Sequence, residues 1–176
     1  MQKMNYLTRL ALANIMVFNL AVCECNAIDT KLDRSLRSNK DGATINQGVW
    51  GNVWFWEGNW MPYSGQIAEP RGNKITPVIR EIFFYKATTI QQLIPYHLKD
   101  GPFYSFIPTE LVAKTSSNVT GFYQVELRPG LYSVFIKEGT VYFANKGDGV
   151  GRLNTVEVQP GKVIKLQLDI TYKAGY

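Results

Sequence analysis

The feature that most constrains this chain is a repeated alternation of apolar and polar residues after residue 46, interrupted by Gly, Pro and Asn turns. Within 120–127, for example, Tyr123, Val125 and Leu127 alternate with polar residues. Successive side chains of a strand point to opposite faces, so each such run offers one face to a core. Short alternating runs between turn residues predict an all-β sandwich or barrel.

The alternation places the predicted strands at 47–56, 78–87, 103–114, 120–127, 131–138, 140–144, 153–158 and 162–172. Pro129-Gly130 predicts a tight turn between two of them, because Pro fixes its own φ and Gly accepts a positive one. Thr88 to Leu93 is the only later stretch that allows a helical turn.

The first 22 residues have the pattern of an export signal. Lys3 and Arg9 form a basic start, and an uncharged apolar run over 10–22 follows. The alternative is a buried amphipathic helix, but no helix-capping residues flank the run. We therefore expect a signal segment over 1–22, a polar and charged flexible tether over 23–46, and one folded domain over 47–176.

Two processing sites fit the end of the signal. Leu20-Ala21-Val22-Cys23 resembles a bacterial lipobox, although Val22 replaces the usual small residue before the cysteine. Cleavage after Ala27 is the rival and would remove both cysteines. Lipidation of Cys23 predicts a periplasmic or outer-membrane lipoprotein, attached to the membrane through the lipid alone, and cleavage after Ala27 predicts a secreted protein.

Composition excludes several classes of function. The formal net charge is +5, and no basic run or basic-aromatic stripe indicates nucleic-acid binding. The chain has 1 His and 2 Cys, which are too few soft ligands for a structural zinc site. No calcium-loop or phosphate-loop motif occurs in the Gly-rich stretch 145–151, which is expected to be a flexible loop. The sequence therefore predicts no metal site and no cofactor.

Three segments resemble the carboxypeptidase regulatory-like domain. They are Val49-x-Gly51-x-Val53, Gly58-Asn59-Trp60-Met61-Pro62 and the hairpin from Thr120 to Val134, which contains Leu127-Arg128-Pro129-Gly130-Leu131-Tyr132. The resemblance covers roughly 47–172. It implies a transthyretin-like (prealbumin-like) Greek-key sandwich of about seven to eight strands. It also implies a non-catalytic module, with 63–77 as a long insertion.

Four tryptophans supply the strongest ligand signal. Trp50, Trp54, Trp56 and Trp60 fall in or beside the first predicted strand, and alternation places the first three opposite Val49, Val53 and Phe55. Exposed aromatic rings stack on sugars and on partner surfaces, so an envelope glycan or protein is the expected partner. Large exposed apolar patches are uncommon, so the sequence favours the other possibility, that the insertion over 63–77 covers the rings and makes a second small core.

Catalysis finds little support in the residues. His97 is the only histidine, and no Gly-x-Ser-x-Gly motif supplies a nucleophile for it. Arg80 and Glu81 are adjacent on a predicted strand and therefore point apart, which favours a structural ion pair for Arg80. We expect no catalytic residue and a non-enzymatic binding or structural module of the bacterial cell envelope. An envelope hydrolase acting on glycan or peptide is the alternative, and convergent carboxylates in a cleft would favour it.

The processing prediction is testable on protein from the native host. Intact mass should give a chain that begins at Cys23 and carries lipid, because the basic start and the lipobox-like segment direct cleavage there. An unmodified chain that begins at Ile28 would contradict lipidation while preserving export.

Overall fold

The computed structural model describes residues 42–61 and 72–175. Contacts within the chain separate the unit Ile45–Tyr176 from the unit Met1–Thr44. The predicted signal segment, Cys23 and nearly all of the predicted tether therefore lie outside the described residues. No helix in the described ranges is long and apolar enough to cross a membrane.

Strands make up most of the described residues, so the all-β class predicted from the alternation is confirmed. The strands are β1 (Gly48–Asn59), β2 (Lys74–Pro77), β3 (Glu81–Lys86), β4 (Phe103–Tyr104), β5 (Leu111–Ser116), β6 (Phe122–Glu126), β7 (Gly130–Glu138), β8 (Val141–Phe143), β9 (Thr155–Val158), β10 (Val163–Lys165) and β11 (Leu168–Gly175).

One short helix interrupts the strands, as the sequence predicted. Helix α1 (Ile90–Leu93) continues into a 3₁₀ turn over Ile94–Tyr96. Thr89 caps the helix: its hydroxyl accepts a hydrogen bond from Gln92 N, and the Gln92 side chain accepts one from Thr89 N. Such a reciprocal capping box satisfies backbone donors that a helix start would otherwise leave unpaired.

β1 is hydrogen-bonded to every other strand of the first sheet. Its first part lies between antiparallel β6 and parallel β10. Its second part lies between antiparallel β2 and parallel β11. We call these five strands sheet 1. The position of β1 explains why its apolar face is buried over nearly its whole length.

Sheet 2 is built around β7. One side of β7 pairs with β3, which pairs in turn with β5. The other side pairs with β9 near its start and with β8 near its end, and β4 extends the sheet beyond β8. Gly130 begins β7 directly after Pro129 and has a positive φ of 159°, so the chain leaves the turn almost fully extended.

The two sheets pack face to face around one hydrophobic core. Residues from both sheets contribute fully buried side chains to it, among them Val49 and Val53 of β1, Phe84 of β3 and Val134 of β7. A second cluster covers the other face of sheet 2. There Leu93 of α1, Ile107 and Leu153 pack on Tyr85 and Phe135. The outer face of sheet 2 is therefore covered around Tyr85 and Phe135, whereas β5 at its edge is largely exposed.

Two predicted strands are interrupted in the structure. The strand expected at 103–114 splits into β4 and β5, because the intervening chain turns Ile107 into the second cluster and Pro108 cannot donate to a ladder. The strand expected at 162–172 splits into β10 and β11 at Leu166–Gln167. β2 was not predicted as a strand and comes from the end of the expected insertion.

The break between β10 and β11 is fixed by neighbouring strands. The Leu166 carbonyl leans over Gly51 so closely that a Cβ on Gly51 would lie 1.9 Å from its oxygen. The same oxygen accepts a hydrogen bond of 2.7 Å from the hydroxyl of Tyr123, and Tyr123 is the register partner of Gly51. Leu166 N donates to Trp50 O at 2.8 Å, so both backbone groups at the break are satisfied.

Gly51→Ala should therefore destabilise the domain by about 3 kcal/mol, because the added methyl collides with backbone rather than with a movable side chain. Gly147→Ala is the matched control, since the nearest atom to its new Cβ is 4.0 Å away. Urea unfolding of both variants measures the difference. Equal midpoints for the two variants would contradict the close approach.

Candidate binding site

The tryptophans of β1 lie on the outer face of sheet 1, as the alternation predicted. Val49, Val53 and Phe55 are buried in the core. Trp50, Trp54 and Trp56 alternate with them along the strand and point away from the core. Trp60 follows the last residue of β1 and joins the same face through its contact with Trp56. We call Trp54, Trp56, Trp60 and their immediate neighbours the aromatic face.

Trp50 differs from the other three because it is only 8% exposed. Its ring lies 6.2 Å from that of Phe122 of β6, measured between centroids. The Lys165 ammonium of β10 lies 4.8 Å above the ring, within reach of a cation–π interaction. Trp50 therefore packs beneath its neighbours and offers little surface to a ligand.

Trp54, Trp56 and Trp60 are half-buried and retain accessible surface. Trp54 lies between Pro77 of β2 and Asp169 of β11, which are its register partners. The Trp56 and Trp60 rings lie 4.9 Å apart at an interplanar angle of 56°. These three rings form one apolar surface at the end of sheet 1.

Asp169 holds the aromatic face from its side. Its Oδ1 accepts hydrogen bonds from Trp56 Nε1 at 3.1 Å and from Gln167 Nε2 at 2.8 Å. Its Oδ2 accepts one from Lys146 Nζ at 3.2 Å. A charged acceptor strengthens such bonds, so Asp169 fixes the orientation of the Trp56 indole. No local pattern in the sequence identified Asp169 as a site residue.

The indole nitrogen of Trp60 has a different environment. It is buried, and no residue in the described ranges accepts a hydrogen bond from it. A buried donor without a partner costs roughly 1–3 kcal/mol.

The structure describes only the last part of the insertion expected over 63–77. Residues 63–71 lie outside the described residues. Residues 74–77 form β2, which lies beside β1 in the plane of sheet 1 and pairs Ile75 with Trp56. The described part of the insertion therefore widens the sheet beside the rings.

A cleft of about 190 Å³ opens next to the aromatic face, at the break between β10 and β11, and Ile136, Leu166 and Leu168 make its lining partly apolar. Its polar lining comes from the loop after β8 and from the break itself: Asn145, Lys146, Asn154, Thr155, Gln167 and Asp169. Asp169 belongs to both features, because it lines the cleft and binds Trp56. The aromatic face and the cleft are thus continuous.

The loop over 145–151, which was predicted to be flexible, contains Asp148, and this side chain makes several hydrogen bonds within the loop. Oδ1 of Asp148 accepts from Val150 N at 2.9 Å and from Arg152 N at 3.0 Å, and Oδ2 accepts from Arg152 Nε at 2.5 Å. Desolvation opposes ionisation, but these bonds and the Arg152 charge outweigh it and lower the pKa of Asp148 to about 2. In the sequence, Asp148 and Arg152 are oppositely charged residues four positions apart, and this spacing is the signal from which their ion pair could have been predicted.

Arg80 and His97, the other residues that the sequence analysis considered, make contacts elsewhere in the fold. Arg80 forms an ion pair with Glu138, whose carboxylate also accepts a 2.9 Å hydrogen bond from the Tyr172 hydroxyl. His97 is exposed, and its ring contacts Tyr104 at 5.4 Å between centroids. Among the described residues, no group of three or more His, Cys, Asp or Glu side chains could hold a metal ion.

No protein-family model, curated protein or solved structure matches this chain.

The lowered pKa of Asp148 predicts a specific acid dependence. Because the carboxyl has a lower pKa in the folded state, its contribution to stability is complete above about pH 4 and is lost as the pH falls toward 2. NMR titration should place the Asp148 midpoint near pH 2. Asp148→Asn should remove this component of the acid transition. An Asp148 midpoint near pH 4 in the wild-type protein would contradict the stabilisation of this carboxylate by Arg152 and the loop backbone.

Proposed function

We propose that this chain is a non-catalytic binding module of the bacterial cell envelope, exported and anchored there through Cys23, and that the aromatic face is its contact surface. The observation that carries the proposal is the placement of Trp54, Trp56 and Trp60 on one outer face of sheet 1. Indole rings combine large apolar area with a polar N–H group, which makes them frequent anchors of binding surfaces.

The different covering of the two sheets supports this choice of surface. The outer face of sheet 2 lies under α1, Ile107 and Leu153. The outer face of sheet 1 carries half-buried tryptophans beside a cleft with several polar side chains in its lining. Apolar area that a fold leaves accessible next to polar groups is typical of an interaction site.

We further propose that the two sheets form the transthyretin-like Greek-key sandwich of a carboxypeptidase regulatory-like domain. The support is positional. The segment predicted to be a hairpin spans β6 and β7, but β6 pairs with β1 in sheet 1 and β7 lies in sheet 2, so the turn at Pro129-Gly130 carries the chain from one sheet to the other. The Val49-x-Gly51-x-Val53 segment lies in β1, where Gly51 admits the Leu166 carbonyl.

The chemistry of the cleft favours binding over the alternative, an envelope hydrolase. Asp148 and Asp169 line the cleft, but each carboxylate is bound by a cationic side chain, Arg152 and Lys146 respectively. A general acid requires a pKa near the working pH, whereas the pKa of Asp148 is about 2. The Asp148 carboxylate is therefore better suited to accepting hydrogen bonds than to donating a proton.

Binding to envelopes isolated from the native host tests the proposal. Trp54→Ala should weaken sedimentation of the protein with envelopes by at least about tenfold, because it removes the ring between β2 and β11. Phe106→Ala is the matched control, since it removes an aromatic ring that is 53% exposed in the segment covering sheet 2.

Thermal melts of both variants separate binding from folding. If Trp54→Ala binds envelopes as well as the wild type does, the aromatic face is not the contact surface. If the wild-type protein shows no retention on envelopes, the proposed function fails as a whole.

A further inference from the structure

We propose that the aromatic face and the adjoining cleft form one glycan-binding site, in which indole rings stack on sugar rings and the cleft receives part of a neighbouring sugar. This inference rests on the proposed function and specifies the class of partner that the face binds. It also assigns a role to Lys146, Gln167 and Asp169, which the sequence did not indicate.

The first argument is the chemistry of the cleft lining. Amide, ammonium, hydroxyl and carboxylate groups converge there from Asn145, Lys146, Asn154, Thr155 and Asp169, beside the apolar side chains of Ile136, Leu166 and Leu168. A purely apolar group inserted there would desolvate the polar groups without pairing them, which is costly. A sugar carries hydroxyl donors and acceptors around an apolar C–H framework, so it matches both parts of this mixed lining.

The second argument is the continuity of the two features at Asp169. Its carboxylate binds Trp56 Nε1, Gln167 Nε2 and Lys146 Nζ. A carboxylate offers about four acceptor positions, so one further donor can be accepted. A sugar hydroxyl in the cleft can occupy that position while the same glycan lies against Trp56. One bound glycan therefore contacts both the aromatic face and the cleft.

The third argument is size. The cleft measures about 190 Å³, whereas pockets that enclose a whole drug-sized ligand run to about 300–1,000 Å³. It therefore accommodates a small part of a ligand, such as one sugar unit or one substituent. The rest of the ligand must lie outside it, and the adjacent surface is the row of half-buried rings formed by Trp54, Trp56 and Trp60.

Selective destruction of envelope components tests the inference. Envelopes from the native host are offered untreated, after exhaustive protease digestion, or after periodate oxidation, which cleaves the vicinal diols of sugars. We expect retention of the protein to survive protease within about twofold and to fall at least about tenfold after periodate. Retention that survives periodate and disappears with protease identifies a protein partner and overturns the glycan inference, while the proposed envelope binding stands.

Variants locate the site on the molecule. Lys146→Met keeps the aliphatic stem of an exposed side chain and removes the ammonium that lines the cleft, so it should preserve the melting temperature and weaken retention on protease-treated envelopes about tenfold. Lys137→Met is the control, because Lys137 Nζ lies over the Tyr142 ring of sheet 2, away from the cleft. Equal retention of the two variants would overturn the assignment of the cleft.

Intrinsic fluorescence provides a direct readout in the purified protein. All four tryptophans lie between residues 50 and 60, so a glycan stacked on the aromatic face must perturb the tryptophan emission. Titration with glycan fragments released from the protease-treated envelopes should shift or quench this emission in the wild type and in Lys137→Met. Unchanged emission at fragment concentrations that compete for envelope retention would overturn stacking on the rings.

Discussion

The contact on which sheet 1 depends is the approach of the Leu166 carbonyl to Gly51. Only a residue without a Cβ admits this carbonyl, since a methyl group there would lie 1.9 Å from the oxygen. The Tyr123 hydroxyl then satisfies the carbonyl from β6, the strand on the other side of β1. These contacts join β1, β6 and the segment between β10 and β11 at one position along the sheet. The chain leaves β10 and restarts as β11, and the interruption forms part of the wall of the cleft.

The same contact of the Leu166 carbonyl with Gly51 and Tyr123 also positions the candidate site. Because β11 begins at Leu168, its second residue Asp169 lies beside Trp54 and reaches the Trp56 indole. The loop after β8 is held in its own shape by Asp148 and Arg152, and it brings Lys146 to the other oxygen of Asp169. Contacts from three separate parts of the chain therefore meet at one carboxylate.

The sequence predicted features that depend on local pattern. The all-β class, the helical turn at Thr89 and the orientation of Val49, Val53 and Phe55 follow from spacing along a single segment. The break at Leu166 could not be predicted, because the apolar alternation runs through it without interruption and its causes lie on β1 and β6. The role of Asp169 was equally hidden, since a polar residue at an outward position of a strand is ordinary.

The placement of the rings on a strand has a consequence for binding. Ordering flexible side chains at an interface costs about 0.5–1.5 kcal/mol for each one immobilised. Trp56 is already restrained by Asp169 and by the Trp60 ring, and Trp54 lies between its partners on β2 and β11. Much of that ordering therefore occurs on folding rather than on binding. The buried ring of Trp50 and the Lys165 side chain occupy the start of the outer face of β1. The accessible aromatic area therefore lies at the end of the face that adjoins the cleft. A face organised in this way suits a ligand that gains little from each contact, since weak stacking and single hydrogen bonds add up only when the groups that make them are already in place.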